Sequence, residues 1–406
     1  MANGSKLGGI IIIALFIIVA LAYIFLFNNK PAFMRGPASN SLSNPVASNS
    51  TSSNAVTHNT LPSNTPATAM TTQGSTTTIR TTPIYSIPIT ITNMQSESLP
   101  SGFQDMIIVN SSKYSKYMNP DWSNVEFTTG PEGSGTVVEA WVESNATSSS
   151  SATVVWLKLP SGITAHNSTV VYMDFMDFGV MSRNGPTGEA PQLSPVYAEY
   201  DNGGHVFNFY DNFSGRTLNR NLWTDYSSFS SNPITIDDGL LIGPSTSKQN
   251  NGYSALLSLQ TFGRGVVDFY GTLSNSTQPH YQDIGLVPAS SNNACNLIDI
   301  GSFYGPGYSG LQTIDSYCQA KYAQGLKFGK PEIYSIFVPS LEPNNASATV
   351  NYAERINLSF NALVLPQTIG IENQGGSTTL GPIYWIRQRD YPPGMQFPVA
   401  TFGKLQ

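Results

Sequence analysis

Two carboxylates held about 5 to 5.5 Å apart can cleave a glycosidic bond with retention of configuration. Alternate residues of one strand would supply such a pair on one face. The nearest arrangement along this chain is Glu199-Tyr200-Asp201, but Gly203 stands where a second glutamate would be needed. The four histidines, His58, His166, His205 and His280, are widely scattered, and no Cys/His spacing suits zinc. Gly307-Tyr308-Ser309-Gly310 begins like a serine nucleophile turn, yet Leu311 replaces its closing glycine. Residues 325–330 lack the spacing and the following Ser/Thr of a phosphate-binding loop. These patterns predict a protein that is not an enzyme, with glycoside hydrolysis kept as a lesser alternative.

Binding chemistry is better represented. Asp211, Asp237 and Asp238 are oxygen donors in turn-rich sequence and could ligate Ca²⁺, the one cofactor the pattern suggests. The plainer reading is that Asp238-Gly239 makes a hairpin turn. Tyr304 and Tyr308, in the Phe303–Tyr308 loop, are candidate platforms for stacking on a sugar ring. Cys295 and Cys318 are the two cysteines; they form either a disulfide bracing that loop or two buried thiols, and an exported setting favours the disulfide. N-glycosylation sequons occur at Asn49, Asn110, Asn145, Asn167, Asn212, Asn275, Asn345 and Asn357.

The elements that must carry these residues begin with a short tail, 1–6, and an apolar segment, 7–27. As a helix that segment would span about 31 Å, one hydrocarbon core. It reads as a signal anchor that leaves the bulk of the chain outside a cell membrane. Two alternatives stand beside this: cleavage after Ala20-Leu21-Ala22, and processing after Gly9, where Lys6-Leu7-Gly8-Gly9 resembles a type IV prepilin site. Residues 28–82 are rich in Ser, Thr, Asn and Pro, cannot bury enough to fold, and read as a stalk. Over the whole chain of 406 residues only 11% are charged, and the net charge is −6. No Lys/Arg cluster offsets that charge, which argues against a nucleic-acid partner.

From residue 83 onward short alternating runs, separated by Gly- and Pro-bearing turns, predict an all-β chain: a β-sandwich over 83–195, a linker at 196–205, a jelly roll over 206–392, and a tail at 393–406. Phe207, Phe209 and Phe213 have odd spacing and are expected on one face of a strand. In the first module Ile87 to Asn93, Val137 to Ser144, Val154 to Ile163 and Thr169 to Phe175 resemble an uncharacterised extracellular β-sandwich of microbial and archaeal surface proteins. In the second, Tyr210-Asp211-Asn212-Phe213-Ser214-Gly215, Leu218, Trp223 and Asp238-Gly239-Leu240 resemble the start of concanavalin A-like lectin/glucanase domains. Ile383-Tyr384-Trp385-Ile386-Arg387 resembles their last strand. The resemblance implies two tandem antiparallel sandwiches and a glycan ligand. The function expected from sequence is therefore a membrane-anchored surface adhesion or recognition protein binding surface glycans or envelope proteins. A structural envelope or pilin-like subunit is the alternative.

Overall fold

The computed structural model describes residues 83–182, 185–227, 234–243, 253–274, 281–289, 295–303, 309–339, 344–361, 363–374 and 378–406. Residues 80–406 form one compact unit. The expected membrane segment and stalk lie outside the described residues, as do Asn49, Asn275, Tyr304 and Tyr308. Among the described residues no helix is long and apolar enough to cross a membrane.

The first module contains β1 (Tyr85–Thr92), β2 (Gln104–Val109), β3 (Val125–Thr128), β4 (Ala140–Ser144), β5 (Thr153–Lys158), β6 (Ser168–Phe175) and β7 (Thr187–Glu189). Its alternating sequence explains the strands: Ile87, Ile89 and Ile91 of β1 point inward and are fully buried. They meet Phe103, Ile107 and Val155 from the opposite sheet, so the core lies between two layers. One layer is β2-β5-β4-β7, with β4 and β7 parallel.

The second module contains β8 (Phe209–Asp211), β9 (Trp223–Asp225), β10 (Ile234–Ile236), β11 (Leu240–Ile242), β12 (Tyr253–Phe262), β13 (Gly265–Gly271), β14 (Tyr281–Val287) and β15 (Leu297–Ser302). It continues with β16 (Ser309–Ile314), β17 (Ala320–Gln324), β18 (Glu332–Val338), β19 (Asn345–Val350), β20 (Ala353–Ser359), β21 (Gln367–Gln374) and β22 (Leu380–Arg389). One sheet runs β10-β11-β22-β13-β18-β19-β20, with β8 also on β22. The other runs β17-β16-β15-β14-β21-β12-β9. Leu256, Phe269, Ile284, Ile300, Ile336, Ile371 and Ile386 fill the space between them. The chain is thus all-β, with a jelly-roll-type sandwich as its second module.

Two features depart from the sequence reading. Residues 393–406 contain a strand, β23 (Val399–Phe402), paired antiparallel with β1, so the first module's other layer is β23-β1-β6-β3. The three phenylalanines also part company. Residues Gly203–Val206 form one helical turn, after which Phe209 and Phe213 enter the jelly-roll core while Phe207 packs between the modules. Phe213 has φ 48°, so the chain turns there and strict alternation fails.

The two modules meet through β4 and β5 on one side and the outer face of β13 and β22 on the other. Trp141, Trp156, Phe207 and Trp385 form a shared aromatic cluster. The fully buried Arg387 lies among their rings, with its guanidinium 4.4 Å from the ring centres of Trp156 and Phe207. Its Nη2 donates to Glu143 at 2.7 Å and its Nε to Asp268 at 2.8 Å. Arg389 Nε also donates to Asp268, at 2.7 Å. Burial alone would raise the Asp268 carboxyl, yet Arg389 and Arg387 hold it below the usual carboxylate range.

Candidate active site

The strands β15, β14 and β21 lie side by side and each carries the same triplet in one direction or the other: Asp299-Ile300-Gly301, Asp283-Ile284-Gly285 and Gly370-Ile371-Glu372. The central isoleucines point into the jelly-roll core. Strand alternation therefore turns each acid and its glycine to the outer face of the seven-stranded sheet.

Register brings the acids together. Asp283 is paired directly with Glu372 on β21, and Gly285 with Gly370. Across the other edge of β14, Asp283 faces Gly301 and Gly285 faces Asp299. Directly opposed residues have Cβ atoms about 5 Å apart, so Asp283 and Glu372 are immediate neighbours; Asp299 lies one diagonal step away, at about 7 to 8 Å. The glycines are required by this packing. A Cβ on Gly301 would sit 2.6 Å from Cβ of Asp283, and one on Gly285 would sit 2.7 Å from Cβ of Asp299 and 2.1 Å from the Ile298 carbonyl oxygen.

Asp283 and Asp299 are almost fully buried. Oδ1 of Asp299 has no hydrogen-bond partner among the described residues. Burial pushes the Glu372 carboxyl up to about 7. Asp283 is raised well above the usual range by burial and by the charges of Asp299 and Glu372; Asp299 is raised by burial and by Glu372. All three acids therefore hold their protons above the usual carboxylate range, with burial the leading cause for each. A carboxyl group that keeps its proton near neutral pH can act as a general acid.

The same face continues outward from Asp299 through Gln312 on β16 to Tyr322 on β17. Gln312 Nε2 donates to the Tyr322 hydroxyl at 3.3 Å, and the Tyr322 ring leans on Phe303 with centroids 5.7 Å apart. Tyr322 is 41% exposed.

The residues singled out by sequence are placed elsewhere. Asp211 is buried; its carboxylate accepts Trp223 Nε1 at 2.6 Å and the Phe213 amide at 2.9 Å. Asp237 and Asp238 occupy the exposed β10–β11 turn, where Asp238 has φ 50°, and Asp237 lies 3.8 Å from Arg216. Among the described residues no three Asp, Glu, His or Cys side chains are placed to hold a metal ion. Cys295 and Cys318 form a disulfide, with Cα atoms 4.7 Å apart. Glu199 and Asp201 lie in the connection between modules. Asp201 accepts hydrogen bonds from Trp141, Tyr210 and Asn212, so it clamps the joint. The sequons at Asn110, Asn145, Asn167, Asn212, Asn345 and Asn357 fall on described residues, with Asn167 and Asn357 exposed and the others half-buried.

No family model matches the chain. A stretch of 183 residues is 33% identical to "Uncharacterized protein 562" of Sulfolobus islandicus rod-shaped virus 1, covering 44% of this chain and 30% of that protein. The chain thus spans less than a third of that relative's length. Among solved structures, a Bacillus licheniformis beta-glucanase is similar at 15% identity over 45% of this chain and 97% of its own, with TM-score 0.35. A GlcNAcα1-4Gal releasing endo-β-galactosidase from Clostridium perfringens is similar at 15% identity over 45% of this chain and 61% of its own, with TM-score 0.35. The catalytic domain of an endo-1,3-β-glucanase from Thermotoga petrophila RKU-1 is similar at 13% identity over 46% of this chain and 98% of its own, with TM-score 0.33.

These findings correct the expectation of a recognition protein that is not an enzyme. The similar solved structures bear the names of glycan-cleaving enzymes. The single-strand reading at Glu199-Tyr200-Asp201, where Gly203 takes the third place, finds no second glutamate, whereas strand register sets Asp283 opposite Glu372. A legible signal existed in the repeated acid-Ile-Gly triplet, which only strand pairing turns into a cluster.

Proposed function

We propose that the second module hydrolyses glycosidic bonds on the outer face of its seven-stranded sheet. The observation that carries this reading is the directly opposed pair Asp283 and Glu372, adjacent side chains of the kind from which two carboxyl groups can flank one glycosidic bond. Glu372 in its ionised form attacks the anomeric carbon as the glycosidic C–O bond breaks. Asp283 gives its proton to the departing oxygen. Water then displaces Glu372 from the sugar, and Asp283 takes up the proton that water releases. Atoms and charge balance over the two steps, and the configuration at the anomeric carbon is retained.

The test is release of reducing ends from a panel of β-linked glucans and galactans. The wild-type chain is expected to cleave at least one of them, with NMR showing the retained anomer first. Glu372→Gln and Asp283→Asn should each lose roughly 10²- to 10⁴-fold in kcat. A wild-type chain inert on the whole panel, or variants as active as the wild type, would overturn the proposal.

The segment 7–27 is proposed to anchor this module outside a cell membrane. What supports it is the sequence's apolar run together with a disulfide, a bond suited to oxidising compartments. Digestion of the bulk of the chain by protease added to intact cells tests that placement.

A further inference from the structure

We infer that one end of the first sandwich docks on a lipid bilayer through apolar and aromatic side chains flanked by lysines; the inference rests on the anchoring proposed above for 7–27. The first observation is exposed apolar surface gathered in one place. Ile84, Phe178 and Met181 are 54%, 55% and 50% exposed, and Tyr85 is 39% exposed. Two separate stretches of chain supply them, and the end of β6 joins the two. The Ile84 amide donates to the Phe175 carbonyl at 2.9 Å, and Tyr85 is paired with Phe175. Phe178 and Met181 follow just beyond that strand end. Their loop is tied to a third stretch: Asn119 Nδ2 donates to the Phe178 carbonyl at 3.2 Å, and the Ser182 amide to the Ser123 carbonyl at 2.6 Å. Large apolar side chains standing together in water mark an interaction surface.

The second observation is the company they keep. The Tyr117 ring lies 4.5 Å from that of Tyr85 and 6.1 Å from that of Phe175, so its segment covers the same end of the sandwich. Tyr114 and Tyr117 are half-buried there, and Lys113 and Lys116 are exposed beside them. Tyrosine has an apolar body with a polar tip, and lysine a long apolar stem under its charge. Both suit the headgroup layer of a bilayer, where ring and stem meet acyl chains while the polar ends stay wet. Asp121 and Asp177, exposed on the same loops, offset the two lysines. The contact therefore rests on apolar area and not on attraction to anionic lipid.

The third observation is position along the chain. Ile84 and Tyr85 are among the first described residues, so the patch adjoins the point where the chain arrives from 7–27 through 28–82. A coil of those 55 residues would have an end-to-end distance of about 40 Å. A bilayer holding 7–27 thus meets the patch at high effective concentration. Contacts too weak to hold a free protein suffice for a tethered one.

The test uses the full chain in phosphatidylcholine vesicles, with and without a spin-labelled lipid. A polarity-sensitive fluorophore is attached at Met181→Cys or, as a control, at Leu259→Cys, an exposed position on the second module. The native cysteines are bonded to each other, which leaves the introduced thiol for labelling. Side chains docked in this way sit about 5 to 10 Å into the headgroup boundary, so the Met181→Cys label should shift to the blue and lose emission to the spin label by about twofold or more. The Leu259→Cys label should be unaffected, and high salt should change neither. Adding Ile84→Asp and Phe178→Asp should bring the Met181→Cys label down to the control, with an unchanged Tm checking that the variant folds. An unquenched Met181→Cys label on a chain that resists alkaline washing, or equal quenching of the two labels, would overturn the inference and leave the anchor standing. A blue shift without lipid quenching that grows with protein density would assign the patch to a second copy and overturn it likewise. A chain washed off the vesicles would overturn the anchor and the docking together.

Discussion

Glu372, Asp283 and Asp299 all hold protons more tightly in the folded chain than in the unfolded one, and burial is the leading cause for each. The sign follows directly. Between the ordinary carboxylate value of 4.5 and about 7 for Glu372, the folded state binds the extra proton, so stability falls as pH rises through that window. Asp105, buried in the first module and raised from 3.8 to about 7, adds to the same slope. Asp268 works the other way at the acid end: its stabilisation is present above the unfolded value and lost as pH falls through the lowered folded one. Thermal melts should thus show a Tm that declines from pH 5 to pH 8, and Glu372→Gln should flatten part of that decline. A slope identical to wild type in this variant would mean Glu372 is not buried as an acid. The acids were readable as residues, and the triplets as a pattern. What sequence reading lacked was the register that places Asp283 opposite Glu372, because pairing partners about ninety positions apart leave no local mark.

At the scale of elements, alternation was the reliable guide at β1, whose burial follows the period of two of a half-buried strand, whereas the middle of β14 is buried on both faces. It misled at Phe207, where a helical turn and the positive φ at Phe213 send neighbouring aromatics to different cores. The joint between modules was also hidden. Arg387 was legible only as part of a last-strand motif, yet its partner Glu143 belongs to the other sandwich. Removing one side of such a buried pair leaves the other charge without compensation. Arg387→Met is therefore expected to cost about 3 to 5 kcal/mol in urea denaturation. The double variant Arg387→Met/Glu143→Gln should recover part of that loss. No recovery in the double variant would show that ring packing around Arg387 matters more than its ion pairs.

For the molecule as a whole, the two sandwiches share one aromatic cluster and one strand exchange, since β23 follows the jelly roll in sequence but belongs to the first module. They should unfold together, giving a single calorimetric transition for residues 80–406. Residues 206–392 made alone would expose Trp385 and a buried arginine, and should be poorly soluble. Two separated transitions, or a well-folded isolated second module, would contradict this coupling.

The pairing of β1 with β23 also sets a schedule for synthesis. Ile91 waits for Ala400 as its partner, and ribosomes add roughly 5 to 20 residues per second. For many seconds the first sandwich presents an open strand edge while the whole second sandwich is being made. A nascent chain in that state can be captured by any extended peptide able to lie along β1, so the order of translation leaves the molecule open to a wrong partner strand until β23 has been made.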